Sequence, residues 1–67
     1  MTIYINNEPK EIEEETSIQH LFSTIKILSD KGIAVAINEV VVPRADWPKK
    51  IVNSNDKVLI IKATQGG

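Results

Sequence analysis

Ile18-Gln19-His20-Leu21-Phe22-Ser23-Thr24-Ile25 is the stretch that decides the fold, because the spacing of the apolar residues changes there. Ile18, Leu21, Phe22 and Ile25 stand at i, i+3, i+4 and i+7, the stripe of an amphipathic helix. Thr16 followed by Gln19 fits a capping box, in which the hydroxyl accepts from an orphan N–H and the amide reaches back. Glu13, Glu14 and Glu15 fall just before or at that end, where the helix dipole favours negative charge. The helix is expected to fade by about Ser29, with Gly32 marking the exit.

Outward from the helix, the spacing is that of strands. On the N-terminal side Met1, Ile3 and Ile5 alternate with Thr2, Tyr4 and Asn6, which is period 2. Asn6-Asn7-Glu8-Pro9 supplies turn chemistry, and a short return strand is expected around Lys10 to Glu13. On the C-terminal side Ile33 to Ile37 is apolar on both faces, Asn38-Glu39 turns, and Val40-Val41-Val42 returns until Pro43. Ala45 to Lys50, with Trp47 and Pro48, suits a short irregular or 3₁₀ stretch. Asn53-Ser54-Asn55-Asp56 is a dense turn, and Lys57 to Thr64 is the last strand.

The order is therefore strand, strand, helix, strand, strand, strand. One helix covers only one face of a sheet, so a two-layer α+β solution follows. A last strand pairing parallel beside the first would bury Ile3 and Ile5 under the helix. This is a β-grasp layout, a mixed sheet of four to five strands packed on one main helix. The expected organisation is a β-grasp domain over residues 1–64 and a flexible Gly-Gly tail over 65–67.

Composition narrows the function. Sixty-seven residues make one small domain without room for two lobes and a cleft. Hydrophobic residues at 42% and charged residues at 25% are ordinary globular usage, against wholesale disorder. Such a chain is expected to be stable by only ~3–5 kcal/mol. Eight Lys plus Arg against nine Asp plus Glu leave a charge of −1, without the basic excess of a nucleic-acid module. Without Cys there are no disulfides, thiolate catalysis or Cys-based zinc sites, and a single His makes a metal site improbable. Ile33 to Ile37 is the longest apolar run, far short of the about 20 residues of a membrane span. The Met1-Thr2-Ile3-Tyr4 start lacks the pattern of a signal peptide, so a cytoplasmic chain with no membrane partner is expected.

Nothing in the sequence forms a catalytic group. His20 falls off the helix stripe, and Ser17, Ser23 and Thr24 near it lack an orienting third residue. The acidic Glu11–Glu15 run and Lys49-Lys50 suit solvated surface, and Trp47 suits a lid on a core poor in aromatics. The last strand says more. Val58 and Ile60 point one way and Leu59 and Ile61 the other, and only one set can meet the helix. The other set is either covered by a loop such as Ala45 to Lys50 or left open as a partner-binding patch. Gly66-Gly67 then ends the chain, and residues without Cβ can thread a slot closed to others. From Thr64 to Gly67 an extended chain spans at most about 13–14 Å, enough to enter an enzyme's active site from a docked body.

These residues resemble the ThiS family, the ubiquitin-like sulfur carriers of thiamine biosynthesis, over essentially the whole chain. The most specific part is Ala36-Ile37-Asn38-Glu39-Val40-Val41-Val42-Pro43-Arg44 followed by Trp47. Asn55-Asp56-Lys57-Val58 is similar to the family's turn before the last strand, with Asn55 where Gly is usual. The small subunit of molybdopterin synthase shares fold and tail but usually not the Val-Pro-Arg-x-x-Trp segment. The resemblance implies a carrier that is itself no enzyme. A partner like the ubiquitin-activating enzymes would adenylate Gly67 with its own ATP and Mg²⁺, the carrier binding no cofactor. A persulfide from a cysteine desulfurase pathway would leave a terminal thiocarboxylate, and thiazole synthase would take the sulfur. Gly66 would thread the tail, Val58 and Ile60 would face the helix, and Leu59 and Ile61 would face partners. A molybdopterin-type carrier and a ubiquitin-like protein modifier remain as alternatives, with an RNA-binding β-grasp module disfavoured by charge and by the Gly-Gly end.

Overall fold

A computed structural model describes residues 1–25 and 32–62 of the chain. The helix, expected to fade by about Ser29, closes at Thr24 with Ile25 as its C-cap, whereas the end of the last strand at Thr64 and the tail Gln65-Gly66-Gly67 lie outside the described residues. The elements follow the expected order. They are β1 (Thr2–Ile5), β2 (Glu8–Glu11), α1 (Ile18–Thr24), β3 (Ile33–Ile37), β4 (Val40–Val41), a 3₁₀ turn (Arg44–Asp46) and β5 (Lys57–Lys62). The strands form one mixed sheet in the order β2-β1-β5-β3-β4. β5 lies at its centre, parallel to β1 and antiparallel to β3.

Two hairpins are closed by two-residue turns of the same shape. Asn6 and Asn7 have φ of 50° and 72°, and Asn38 and Glu39 repeat those values. Positive φ at both central residues is the type I′ turn, whose twist matches that of the flanking strands. The return of the first hairpin is therefore immediate, and β2 runs Glu8–Glu11, not Lys10 to Glu13 as the sequence suggested. Pro9 sits inside it opposite Tyr4 without breaking a ladder. The Tyr4 N–H turns the other way, to the Asp56 carbonyl at 2.9 Å, and Pro9 occupies an outer edge where no donor is needed.

The helix begins one residue later than the capping-box spacing suggested. Ser17 is the N-cap, and its Oγ accepts from the His20 N–H at 3.0 Å. Thr16 is buried and donates instead to the Glu13 carbonyl at 2.6 Å. The remaining orphan N–H groups find tertiary partners. Ile18 N–H reaches the Lys50 carbonyl at 2.9 Å and Gln19 N–H the Trp47 carbonyl at 3.2 Å. With those carbonyls supplied, a reach back from Gln19 is not needed.

The core lies between α1 and one face of the sheet. Ile18, Leu21 and Phe22 of the helix meet Ile3, Val35, Ile37 and Val58 of the strands. Ile12, Val42, Trp47 and Val52 complete the cluster from the connecting segments. Trp47 is more than a lid, being 2% exposed within the core. Its ring meets Phe22 edge-on at 4.9 Å, and its Nε1–H donates to the Val42 carbonyl at 3.1 Å. A buried indole with its N–H paired supplies both area and a fixed orientation. Among the described residues, no helix is long and apolar enough to cross a membrane.

Candidate functional site

The last strand divides its residues by face, as β-pleating requires. Val58 is 2% exposed under α1, and Ile60 is half-buried against the core. Leu59 and Ile61 are 46% and 49% exposed on the opposite, uncovered face. The Ala45–Lys50 segment does not cover them, because it packs by the start of the helix through the Trp47 and Lys50 carbonyls.

The register extends that patch beyond the two residues expected. Ala36 of β3 pairs with Leu59 on one side and Val41 on the other, so the three form one row across three strands. Ala36 is buried although it lies on the open face, because larger neighbours flank its single methyl. Ala34 pairs with Ile61 in the next row, and Tyr4 shares a row with Lys57 on the other side of Leu59. Tyr4, Val41, Leu59 and Ile61 are all exposed. They make a continuous apolar band with a lysine at one end, a combination suited to docking a protein surface. Val41 and Tyr4 escape a sequence reading because their neighbours are set by register, which spacing along the chain does not reveal.

The motifs around the band turn out to be supports. Asn38 holds the start of β5 three ways. Its N–H donates to the Lys57 carbonyl at 2.8 Å, its Oδ1 accepts from the Lys57 N–H at 3.0 Å, and its Nδ2 donates to Asp56 Oδ1 at 3.0 Å. Asp56 is buried and also accepts from the Asn53 N–H at 2.8 Å, closing the turn that launches β5. Asn55 sits at φ 69°, which explains how it stands where Gly is usual: Asn is among the residues that tolerate the left-handed region. In Val42-Pro43-Arg44-x-x-Trp47, Val42 offers its carbonyl to the indole and Pro43 opens the 3₁₀ turn. The Arg44 guanidinium lies 5.7 Å from the Trp47 ring centroid.

No nucleophile–base couple exists around His20 among the described residues. His20 is exposed, and the hydroxyls of Ser17 and Thr24 bond to its backbone N–H and carbonyl instead of to the imidazole. Among the described residues, no group of three or more His, Cys, Asp or Glu could hold a metal ion. Glu11 is held below its ordinary value of 4.5 by a hydrogen bond from the Thr2 hydroxyl at 2.6 Å, helped by the N-terminal ammonium at 3.4 Å. It pairs with Thr2 at the β1–β2 end of the open face, two residues along β1 from Tyr4. Gly66 and Gly67, the expected threading and reacting residues, lie outside the described residues.

Residues 3–67 match the sequence profile of the ThiS family. The chain belongs to the ThiS family. A curated ThiS relative, "Sulfur carrier protein ThiS" of Escherichia coli (strain K12), is 28% identical over 67 residues, with both chains covered in full. An uncharacterized protein of Porphyra purpurea, ycf40, is 34% identical over the whole of this chain and 93% of its own. Among solved structures, the crystal structure of the thiamine biosynthesis protein ThiS from Geobacter metallireducens superposes with a TM-score of 0.87, at 23% identity with both chains fully covered. That likeness establishes the ubiquitin-like β-grasp fold of this ThiS-family chain.

Proposed function

We propose that this chain is a sulfur carrier of thiamine biosynthesis whose terminal Gly67 carries the sulfur destined for the thiazole ring. The observation that carries the proposal is the family match running through residue 67, onto a Gly-Gly end directly behind a strand that exposes Leu59 and Ile61. The Gly67 carboxylate, with an expected pKa of about 3.3–3.7, is ionised and inert at neutral pH. A partner resembling ubiquitin-activating enzymes makes it reactive. A carboxylate oxygen attacks the α-phosphorus of Mg²⁺-bound ATP, an O–P bond forms, and pyrophosphate leaves. The terminal sulfur of a persulfide, supplied through a cysteine desulfurase, then attacks the acyl carbon and AMP leaves with the bonding pair. A second thiol cleaves the acyl disulfide by two-electron reduction and releases the thiocarboxylate. Thiazole synthase is the acceptor.

In this scheme the carrier performs no chemistry of its own. Tyr4, Val41, Leu59 and Ile61 dock, β5 aims the tail, and Gly66 keeps it narrow. The Val42-Pro43-Arg44-x-x-Trp47 segment favours the thiamine pathway over a molybdopterin-synthase role. Intact-mass measurement after incubation with activating enzyme, ATP, desulfurase, cysteine and thiol tests the reading. The expected product has gained the mass of one oxygen-to-sulfur exchange. A lysine-linked protein adduct instead would point to a modifier and overturn the carrier reading.

A further inference from the structure

β1 ends before β5 does. Their parallel pairing stops at Ile5 with Val58, after which the chain turns at Asn6-Asn7, while β5 continues to Lys62. Asn6 bridges the gap with its side chain. Its backbone N–H donates to the Val58 carbonyl at 2.9 Å. Its Oδ1 then accepts from the Ile60 N–H at 2.8 Å, and its Nδ2 donates to the Ile60 carbonyl at 3.3 Å. The carboxamide thus takes the place of the next peptide group of β1, offering one acceptor and one donor to a single residue of β5. Asn38 does the equivalent at the other end, at Lys57 and Asp56. Both residues occupy the first position of a type I′ turn at φ 50°.

We propose that Asn6 is a positioning residue for activation of the chain's terminus. By pairing Ile60 on the side that β1 has vacated, it fixes the direction in which β5 delivers the tail. The inference rests on the sulfur-carrier reading. Without Asn6, the end of β5 is paired only on its β3 side, up to Ile33 with Lys62. A strand end held on one side opens more readily than one held on both. A change in the path of β5 at Ile60 shifts Lys62, the last described residue of the strand, and with it the point from which the tail sets out. Displacements of about 1 Å between reacting groups can already cost on the order of 10²-fold in rate. Leu59 keeps its place on the open face, paired with Ala36, since the Asn6 side chain bonds only to the backbone of Ile60.

Gly is at home at positive φ, so Asn6→Gly removes the clamp while preserving the turn. Asn38→Gly does the same for the twin clamp, distant from the tail. ATP-dependent pyrophosphate release by the activating enzyme is measured for both variants and the wild type. Asn6→Gly should lose roughly tenfold in kcat with KM within about twofold, and its Ile60 amide should exchange faster with solvent. Asn38→Gly should lower the unfolding midpoint at least as much and leave kcat unchanged. Asn6→Asp, which keeps the acceptor and tolerates the turn, should recover part of the loss. A wild-type kcat in Asn6→Gly, or equal losses in both glycine variants, would overturn the assignment. No pyrophosphate release from the wild type would instead bring down the carrier reading, and this inference with it.

Discussion

Among the described residues, six non-glycine positions hold positive φ, and four of them are Asn. Asn reaches this region at little cost because its short amide bonds locally, whereas other residues crowd Cβ against the next carbonyl. Asn6 and Asn38 also convert the conformation into hydrogen bonds to β5. Glu39, at φ 72°, has no such compensation: its side chain is exposed and sits in a turn that favours Asn-Gly. Glu39→Gly should therefore stabilise the domain by about 1 kcal/mol, read as a higher urea midpoint with an unchanged slope. No gain in the midpoint would mean that the turn carries no strain at this position. The turns are legible in the sequence from their Asn residues, but the second task of Asn6 and Asn38 is not, because their partners lie 54 and 19 residues away.

At the scale of elements, β5 offers the sharpest contrast. Val58→Glu would place an unpaired carboxylate among Ile3, Leu21 and Ile37, at a cost of roughly 3 kcal/mol or more. That approaches the whole stability of a domain this small, and circular dichroism should show a largely unfolded chain. Leu59→Glu and Ile61→Glu, on the open face, should cost no more than about 1 kcal/mol and show their effect in weakened binding to the activating enzyme. The reverse ranking would place the strand one residue out of register. The β1–β2 edge makes a pH prediction. Glu11 has its folded pKa below 4.5, so its contribution to stability is complete above that pH and is lost as pH falls through the folded value. Wild type and Glu11→Gln should differ in thermal midpoint near neutrality and converge in acid. A gap that persists below the folded value would assign the effect to packing. The element boundaries that sequence spacing missed have a common cause. β2 began early and the helix began late because a turn and a set of tertiary carbonyls, respectively, supplied pairing that local spacing does not contain.

At the scale of the whole molecule, the proposed function places reactivity in a different part of the chain from the core. Among the described residues, the last buried core side chain is Val58, with Ile60 packed at the margin. Gly66→Val and deletion of Gly67 should therefore leave thermal unfolding unchanged and abolish or sharply slow adenylation. In the proposed scheme valine adds a β-branched side chain where the tail would enter a slot, while the deletion removes the carboxylate proposed to react. Adenylation of Gly66→Val at the wild-type rate would show that the slot is wide and the tail only a tether. Normal activation of the truncated chain would remove Gly67 from the mechanism.

Periodicity and turn chemistry alone determined the succession of elements and the amphipathic helix, because each depends on residues a few positions apart, and the β-grasp layout followed from one helix set against several strands. The Val42-Pro43-Arg44-x-x-Trp47 segment was likewise legible, since it builds a local turn whose indole returns to a carbonyl five residues earlier. The depth of Trp47, the row of Leu59, Ala36 and Val41, and the Asn6 clamp on Ile60 were decided only in three dimensions. Alternation along β5 is the same whichever face meets the helix. The choice between faces belongs to α1, whose buried stripe needs Val58 beneath it and thereby turns Leu59 and Ile61 outward.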